Sequence, residues 1–264
     1  MIHIVIAGPR GNMGKEAVKM VMGEETFTLT AVVDRKHDGA RLKDVAPDLD
    51  ADVPVYTNME ECFQKEVCDV LIDLTSPETG KQHMVTAFNY NVRPVVGTTG
   101  FTDEDIEELT KTASEKELGA IIAPNFAIGA ILLMKFSKQA AKYMTDVEII
   151  EQHHDKKLDA PSGTAIKTAQ MIAEVREEKT QGHVDETETL QGARGADFEG
   201  MRIHSVRLPG RVAHQEVLFG GQGQTLTLRH DSLDRTSFMP GVKLAVDEVM
   251  HLKTLVYGLD QLID

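Results

Sequence analysis

A short apolar run followed by a glycine-rich turn lies near the start of the chain, where residues 2–14 read IHIVIAGPRGNMG. The run Ile2–Ala7 is nearly continuous and rich in β-branched residues, as a parallel strand buried on both faces requires. It breaks at Gly8, and an amphipathic helix pattern extends from Met13 to Met22. Glycines between a strand and a helix let the backbone approach a pyrophosphate at the helix N-terminus. The spacing is Gly-x-x-Gly-x-x-Gly, a variant of the commoner dinucleotide-binding pattern.

An acidic residue beyond this turn supports the same interpretation. Asp34 ends the second strand pattern, 20 residues after Gly14, where a carboxylate can accept hydrogen bonds from an adenosine ribose. Arg35 and Lys36 follow at once, and either can hold the 2′-phosphate of NADPH. A structural tight turn followed by a solvated charged turn is the alternative. We interpret the combination as a dinucleotide site, with contacts from Gly8, Pro9, Arg10, Gly11, Asn12, Met13, Asp34 and Arg35.

Strand and helix patterns alternate through the first half of the chain. Strand patterns lie at 29–33, 70–74, 94–96 and 120–123, and helix patterns at 79–90 and 103–116. The alternation predicts an α/β unit with a Rossmann-type parallel sheet covered on both faces. Ligands bind outside the carboxyl ends of such strands. Two further clusters in that position can hold a nicotinamide and its ribose, although each alone is better explained as a plain turn: Gly97-Thr98-Thr99-Gly100 and Ala123-Pro124-Asn125-Phe126.

The pattern changes after Asn125. The remaining sequence predicts helices over 128–144, 164–175 and 242–257, strands over 147–153, 202–208, 215–219 and 225–229, and a polar loop over 180–200. Gly220-Gly221-Gln222-Gly223 indicates a hairpin between the last two strands. We therefore predict two domains. Residues 1–126 and 239–264 form the dinucleotide-binding domain, and residues 127–238 form an α+β domain with a mixed or antiparallel sheet.

Composition excludes several classes of protein. The chain has 264 residues, of which 41% are hydrophobic and 27% charged, as in ordinary globular proteins. A formal net charge of −14 disfavours binding to nucleic acid or to a membrane surface. Cys62 and Cys68 match no metal or redox spacing, and they indicate reduced thiols. No apolar run approaches the ~18 residues of a membrane span, and residues 1–7 show no export signal. We expect a cytoplasmic protein.

The richest cluster of reactive side chains is EQHHDKKLDAPSGT, residues 151–164. Two histidines and two lysines within residues 153–157 create a local positive potential in an acidic protein. Ser162, Gly163 and Thr164 then start a predicted helix, whose N–H groups and adjacent hydroxyls suit a carboxylate. We expect this segment to bind an acidic substrate and to supply a proton.

A metal site and a solvated loop are the weaker hypotheses for this segment. A metal site at His153, His154 and Asp155 is disfavoured because adjacent residues on a strand point to opposite faces, and we predict no metal. A solvated charged loop explains Lys156 alone. It does not explain why His153 and Lys157 occupy positions that face the same side of an extended chain, directly before Ser-Gly-Thr.

These motifs together resemble those of the dihydrodipicolinate reductase family. The resemblance covers essentially the whole chain. It rests on the turn at 8–14, the clusters at 97–100 and 123–126, His-His-x-x-Lys-x-Asp-Ala-Pro-Ser-Gly-Thr at 153–164, and Arg-x-x-Phe-x-x-Gly at 235–241. The segment at 153–164 is the most specific of them. The chain departs from the family pattern at Asn12, where members often carry a basic residue, and this bears on the preference between NADH and NADPH.

The resemblance implies a two-domain reductase whose substrate domain builds a homotetramer. It implies hydride transfer from NADH or NADPH to a small cyclic dicarboxylate, converting 4-hydroxy-tetrahydrodipicolinate to tetrahydrodipicolinate in lysine and diaminopimelate biosynthesis. It also implies an acid/base role for His153, proton donation by Lys157, and substrate binding by His154, Gly163 and Thr164. Two alternatives remain open. One is a Rossmann-type dehydrogenase acting on an amino-acid semialdehyde, and the second is a non-catalytic protein that senses dinucleotides.

Overall fold

The described part of the chain, residues 1–98 and 100–263 of a computed structural model, folds into two units with one sheet each. The first unit comprises residues 1–126 and the stretch from Phe238 onward. The second unit comprises residues 127–237. The first unit is therefore discontinuous in sequence, and the second is inserted between its two parts.

Within the described residues, the sheet of the first unit has seven strands, and all its pairings are parallel. Numbered along the chain, its strands are β1 (Ile2–Ala7), β2 (Phe27–Val33), β3 (Val55–Tyr56), β4 (Val70–Asp73), β5 (Arg93–Val96), β6 (Ala120–Ile122) and β12 (Leu255–Tyr257). Its helices are α1 (Asn12–Gly23), α2 (Leu42–Val45), α3 (Met59–Lys65), α4 (Pro77–Asn89), α5 (Asp103–Glu115) and α8 (Met239–Val249). The order β12-β6-β5-β4-β1-β2-β3 contains the doubly wound order, and the predicted Rossmann-type sheet is confirmed.

The burial of β1 fits its position as an interior strand of this sheet. Ile4, Val5 and Ile6 are fully buried, and the strand pairs with β2 on one side and β4 on the other. A strand covered on both faces reads as a continuous apolar run. The strand order reverses direction between β1 and β4, and ligands of open α/β sheets bind outside the carboxyl ends at such a point.

Gly8 and Gly14 determine the turn between β1 and α1. Gly8 has a φ of +81°, a conformation that L side chains rarely adopt. A Cβ on Gly14 would lie 2.0 Å from the carbonyl oxygen of Gly8. The helix can therefore pass this close to the turn only because residue 14 has no side chain.

The second unit contains a mixed sheet, so this part of the fold prediction is also confirmed. Its strands are β7 (Asp146–His153), β8 (Ala196–Phe198), β9 (Met201–Arg207), β10 (Ala213–Gly221) and β11 (Gln224–Ser232), in the order β11-β10-β7-β9-β8. Only the β7–β9 pairing is parallel among the described strands of this sheet. The helices α6 (Ile128–Ala141) and α7 (Gly163–Ala173) share an apolar core with β7. No helix within the described residues is long and apolar enough to span a bilayer.

Two local predictions are wrong. The helix predicted over 242–257 ends at Val249, and Leu255–Tyr257 forms β12, the edge strand, which pairs with β6. Pairing with a free sheet edge outweighs the amphipathic pattern that continues through this stretch. The loop predicted over 180–200 contains β8, which pairs with β9. β8 is short and two of its three residues are exposed, so it has no apolar run to indicate it.

Candidate active site

The glycine turn provides an anion site at the start of α1. The helix begins at Asn12, and Gly11 precedes it without a side chain to cap its first N–H groups. Uncapped N–H groups and the positive end of the helix dipole together suit a phosphate. The predicted cofactor contacts from Gly8 to Met13 all lie in this turn and in the first residues of the helix.

Arg10 and Asp34 form an ion pair that the sequence did not reveal. The Arg10 guanidinium donates through Nε and Nη2 to the two carboxylate oxygens of Asp34, each at 2.8 Å. The side chain of Asp34 is only 10% exposed, and the hydrogen bond from Arg10 lowers its pKa. The two residues meet because β1 pairs with β2. Gly8 N donates to Val33 O, and this bond brings the ends of the two strands together. Arg10 thus partly neutralises the charge of Asp34. The neighbouring Arg35 is exposed.

A second cluster lies at the carboxyl end of β4, beside β1. Asp73 is fully buried, and its carboxylate contacts His83 Nδ1 at 2.5 Å and accepts a hydrogen bond from Thr75 Oγ1 at 2.6 Å. A Cβ on Gly8 would lie 3.3 Å from Cγ2 of Thr75, so this cluster adjoins the glycine turn. Sequence reasoning missed it, although an acid that ends the apolar run VLID is a signal for such a site.

The structure also brings together the ends of β4, β5 and β6. A Cβ on Gly97 would lie 2.6 Å from Leu74 Cδ2 and 2.6 Å from Phe126 Cε2, so a larger residue at position 97 would have to displace these two side chains. Thr98 and Phe126 are buried beside these strand ends, and Pro124 is exposed. The predicted contacts Gly97, Thr98, Ala123, Pro124, Asn125 and Phe126 therefore lie at one edge of the sheet, whereas Thr99 lies outside the described residues.

In the second unit, the site forms around the carboxylate of Glu151. Because β7 side chains alternate, Glu151 and His153 share a face, and His153 Nδ1 lies 2.6 Å from Glu151 Oε2. Arg207 binds both oxygens at 2.7 and 2.8 Å, and Ser162 N donates to Oε1 at 3.1 Å. Burial raises the pKa of Glu151, but the hydrogen bonds from His153, Arg207 and Ser205 outweigh it and lower the pKa to about 2. The group is a permanent anion at neutral pH.

The loop after β7 places Lys157 beside this carboxylate cluster. Lys157 Nζ donates to both oxygens of Asp159 at 2.7 and 2.8 Å, and this pairing lowers the pKa of Asp159. Arg207 Nη2 donates to the carbonyl oxygen of Asp159 at 2.9 Å. Lys157 is therefore connected to Glu151 through Asp159 and Arg207.

The start of α7 is attached to the same carboxylate. Ser162 caps the helix by accepting from Ala165 N, while its own N–H binds Glu151. Gly163 follows and is exposed, and a Cβ there would meet nothing within 4 Å, so this helix start is open. Thr164 is half-buried in the first turn. The predicted substrate-binding residues at this helix start, Gly163 and Thr164, therefore directly follow Ser162, whose N–H is bonded to Glu151.

His154 differs from His153 in its surroundings. Its Nδ1 is buried and has no hydrogen-bond partner among the residues that the structure describes. The same residues contain no group of three His, Cys, Asp or Glu side chains arranged to hold a metal. The site thus combines a carboxylate-bound histidine, an ion-paired lysine and an open helix start. These groups can transfer protons and bind carboxylates.

Comparison with known proteins matches both units. The family model "Dihydrodipicolinate reductase, N-terminus" matches residues 2–126, and "Dihydrodipicolinate reductase, C-terminus" matches residues 129–263. The 4-hydroxy-tetrahydrodipicolinate reductase of Shouchella clausii is 70% identical over 264 residues, covering 100% of both proteins. That of Bacillus subtilis is 60% identical over 263 residues, covering 100% of this chain and 98% of the relative.

A solved structure gives the same result. Dipicolinate-bound dihydrodipicolinate reductase from Paenisporosarcina sp. TG-14 superposes with a TM-score of 0.91 at 55% identity and covers 100% of both chains. The similarity extends over the glycine turn and over the segment 151–164. Sequence and fold therefore point to the same set of relatives.

Proposed function

The chain belongs to the dihydrodipicolinate reductase family, and from this premise we propose that it reduces 4-hydroxy-tetrahydrodipicolinate to tetrahydrodipicolinate in lysine and diaminopimelate biosynthesis. It is an oxidoreductase that uses a pyridine nucleotide. The observation that carries the proposal is the folding of residues 151–164 around Glu151, which gathers a carboxylate-bound histidine, a lysine and an open helix start.

The glycine turn fits a dinucleotide. The left-handed backbone at Gly8, the space that a Cβ on Gly14 would fill and the uncapped start of α1 leave room and N–H donors for a pyrophosphate. A bound NADH or NADPH would supply the hydride. We assign its contacts to Gly8, Pro9, Arg10, Gly11, Asn12, Met13, Asp34, Arg35, Gly97, Thr98, Thr99, Ala123, Pro124, Asn125 and Phe126.

The substrate requires proton transfer as well as hydride. Loss of the 4-hydroxyl as water gives a conjugated imine, and hydride addition leaves an electron-rich enamine that must be protonated. His153 acts as the acid/base group through Nε2, because Nδ1 is bound to Glu151. Lys157 donates a proton as an ammonium group. His154, Gly163 and Thr164 bind the carboxylates, which suit the open N-terminus of α7.

Replacing Thr164 with valine tests the substrate contacts. Valine keeps the shape and removes the hydroxyl, so KM for the dicarboxylate is expected to rise. The loss corresponds to about 1.5–3 kcal/mol, the range for a hydrogen bond to a charged group. Steady-state kinetics at saturating cofactor measure KM. Thr187→Val, an exposed threonine in the polar loop, is the control. An unchanged KM in Thr164→Val would show that the hydroxyl is not used.

We propose that the protein uses both NADH and NADPH, with a slight preference for NADH. Asp34 can accept hydrogen bonds from a free ribose but repels a 2′-phosphate, and Arg10 offsets part of that repulsion. Arg35 and Lys36 are exposed beside it and can pair with the phosphate. Asn12 adds no positive charge to the glycine turn.

Removing both basic side chains in Arg35→Ala/Lys36→Ala is expected to weaken NADPH at least about tenfold more than NADH. Dissociation constants for both cofactors at two salt concentrations check this, since an exposed phosphate contact is sensitive to salt. Arg41→Ala/Lys43→Ala, which removes one arginine and one lysine paired with Asp52, is the matched control. Equal weakening of the two cofactors would mean that Arg35 and Lys36 do not contact the 2′-phosphate.

One assay separates this function from its alternatives. Oxidation of NADH or NADPH is measured with the product of the preceding synthase made in situ. Turnover supports the proposal. Turnover only with an amino-acid semialdehyde would identify a different dehydrogenase, and cofactor binding without turnover on either compound would identify a dinucleotide sensor. The segment 153–164 has no evident role in either alternative.

We further propose a homotetramer in the cytoplasm. β11 is an edge strand with its first four residues exposed, including Leu226, and such an edge is a template for pairing with another chain. Light scattering should give about four times the chain mass of 29.1 kDa, and a monomer mass would contradict the proposal. Cys62 and Cys68 are free thiols, which fits a reducing compartment.

A further inference from the structure

Glu151 is a charged residue at the end of an apolar row. On the covered face of β7, Val147, Ile149 and Glu151 follow at intervals of two residues, and none is more than 1% exposed. His153 is next in the row. A carboxylate in such a position is costly unless it is paired and hydrogen-bonded. The partners of Glu151 therefore indicate why this position carries a charge.

Those partners determine which nitrogen of His153 carries the proton. The pKa of about 2 keeps Glu151 ionised, and an ionised carboxylate only accepts hydrogen bonds. The 2.6 Å contact between Oε2 and His153 Nδ1 therefore requires a proton on Nδ1. The second nitrogen, Nε2, is left as the one that can exchange a proton with another molecule.

Arg207 fixes the carboxylate itself. Its two terminal nitrogens bind the two oxygens of Glu151, and they also donate to the backbone carbonyls of Val206 and Asp159. This forked geometry prevents the carboxylate from rotating away from His153, and it balances the buried negative charge. Arg207 is 56 residues from Glu151 in sequence and belongs to the neighbouring strand β9.

We propose that Glu151 and Arg207 are a pair of positioning residues for proton transfer, in which Glu151 sets the tautomer of His153 and Arg207 orients Glu151. The pair acts through His153 and, by the bond from Arg207 to the Asp159 carbonyl, on the loop that carries Lys157. The importance of the pair for turnover rests on the proposed function, whereas the tautomer does not depend on it.

The substitution Glu151→Gln tests the proposal, because it is expected to change the tautomer of His153 in one direction. A glutamine has one acceptor oxygen and one amide group. If the amide took the place of Oε1, it would face two donors, Ser162 N and Arg207 Nη2. If it takes the place of Oε2, it faces one competing donor, Arg207 Nη1, and can donate to His153 Nδ1. The second orientation is favoured because the Ser162 N–H is fixed in the backbone, whereas Arg207 Nη1 keeps its bond to Val206 O and the Ser205 hydroxyl, which also bonds this carboxylate, can rotate to accept from the amide. We therefore expect the substitution to invert the tautomer, moving the proton of neutral His153 from Nδ1 to Nε2.

Two measurements follow on the full-length protein. Nitrogen-15 NMR of the histidine rings distinguishes the two neutral tautomers, and the His153 signals are identified by their absence in His153→Gln. We expect the Nδ1–H form in the unsubstituted protein and the Nε2–H form in Glu151→Gln. We expect kcat of Glu151→Gln to fall at least about tenfold because the wrong nitrogen is protonated, while KM changes less than about threefold.

The same strand offers a matched control. Glu148 also binds an arginine and a histidine, with Arg194 Nη2 at 2.6 Å and His204 Nε2 at 2.8 Å, but its contacts do not include the segment 153–164 among the described residues. Glu148→Gln is expected to leave both kcat and the His153 tautomer unchanged. A general effect of losing an ion-paired glutamate from β7 would lower activity in both variants.

The outcomes are separable from those of the proposed function. An inverted tautomer in a protein without reductase activity would retain the assignment of Glu151 to His153 and would overturn the function. If Glu151→Gln is measured in a protein with reductase activity and either the tautomer or kcat is unchanged, the positioning role of Glu151 and Arg207 is overturned. If circular dichroism shows that Glu151→Gln is unfolded, Glu151→Asp decides instead. Its shorter side chain withdraws the acceptor from Nδ1, so a lower kcat with part of His153 in the Nε2–H form supports the proposal, and an unchanged kcat overturns it.

Discussion

Replacement of Lys157 by alanine is expected to lower kcat by at least ~100-fold, the usual scale for losing a general acid. The lysine side chain is 21% exposed, and its two bonds to Asp159 hold the ammonium group in one place. Without it, Asp159 remains 60% exposed and solvated, so folding stability should change little. The loss therefore reports on the chemical step.

Lys156→Ala is the matched control, because it removes a neighbouring lysine that is exposed. Its kcat is expected to stay near that of the unsubstituted protein. The dissociation constant for NADH, measured by fluorescence, should be unchanged in both variants, since the assigned cofactor contacts lie in the first unit. Near-normal kcat in Lys157→Ala would remove this residue from the mechanism.

His153→Gln is expected to lower kcat by about 10²–10⁴-fold. The glutamine amide can still donate to Glu151, so the buried carboxylate keeps a partner, but no group remains at the position of Nε2 to exchange a proton. The effect should thus fall on kcat, with KM and the thermal unfolding midpoint changing little.

His204→Gln provides the comparison, since His204 also binds a glutamate of β7, Glu148. The same substitution there should leave kcat unchanged. If the two variants lost activity equally, the loss would come from the sheet and not from His153. A His153→Gln variant that retains more than about a tenth of normal kcat would contradict the acid/base role.

Local sequence patterns were sufficient to predict most helices and strands of the fold. The predicted strand Ile2–Ala7 has the observed bounds, and the helix predicted over 103–116 corresponds to α5, where Thr102 forms a full capping box with Asp105. Both signals come from neighbouring residues. β12 was missed because it exists through pairing with β6, a strand distant in sequence, and β8 because it is short and two of its three residues are exposed. The stretch 35–69, which contains α2, β3 and α3, gave no periodic signal strong enough to assign.

The candidate site likewise has a part that local sequence indicates and a part that depends on contacts between different elements. The segment 151–164 was visible because its reactive groups are consecutive, although the roles of its residues stay predictions. Its partner Arg207 was not visible, because it lies in another strand and its contact depends on the parallel register of β7 and β9. The pairs Arg10–Asp34 and Asp73–His83 likewise connect residues of different elements. Contacts of this kind require the register of the sheet, which one sequence does not supply.

The insertion of the second unit into the first has a consequence for synthesis on the ribosome. β6 is complete at Ile122, but its outer neighbour β12 begins only at Leu255. At translation rates of about 5–20 residues per second, the nascent first unit waits roughly ten seconds for that strand. During this interval the edge of β6 carries unpaired N–H and C=O groups that can pair with another chain. Chains that terminate before Leu255 keep this edge open permanently, so we expect them to aggregate or to be captured by chaperones.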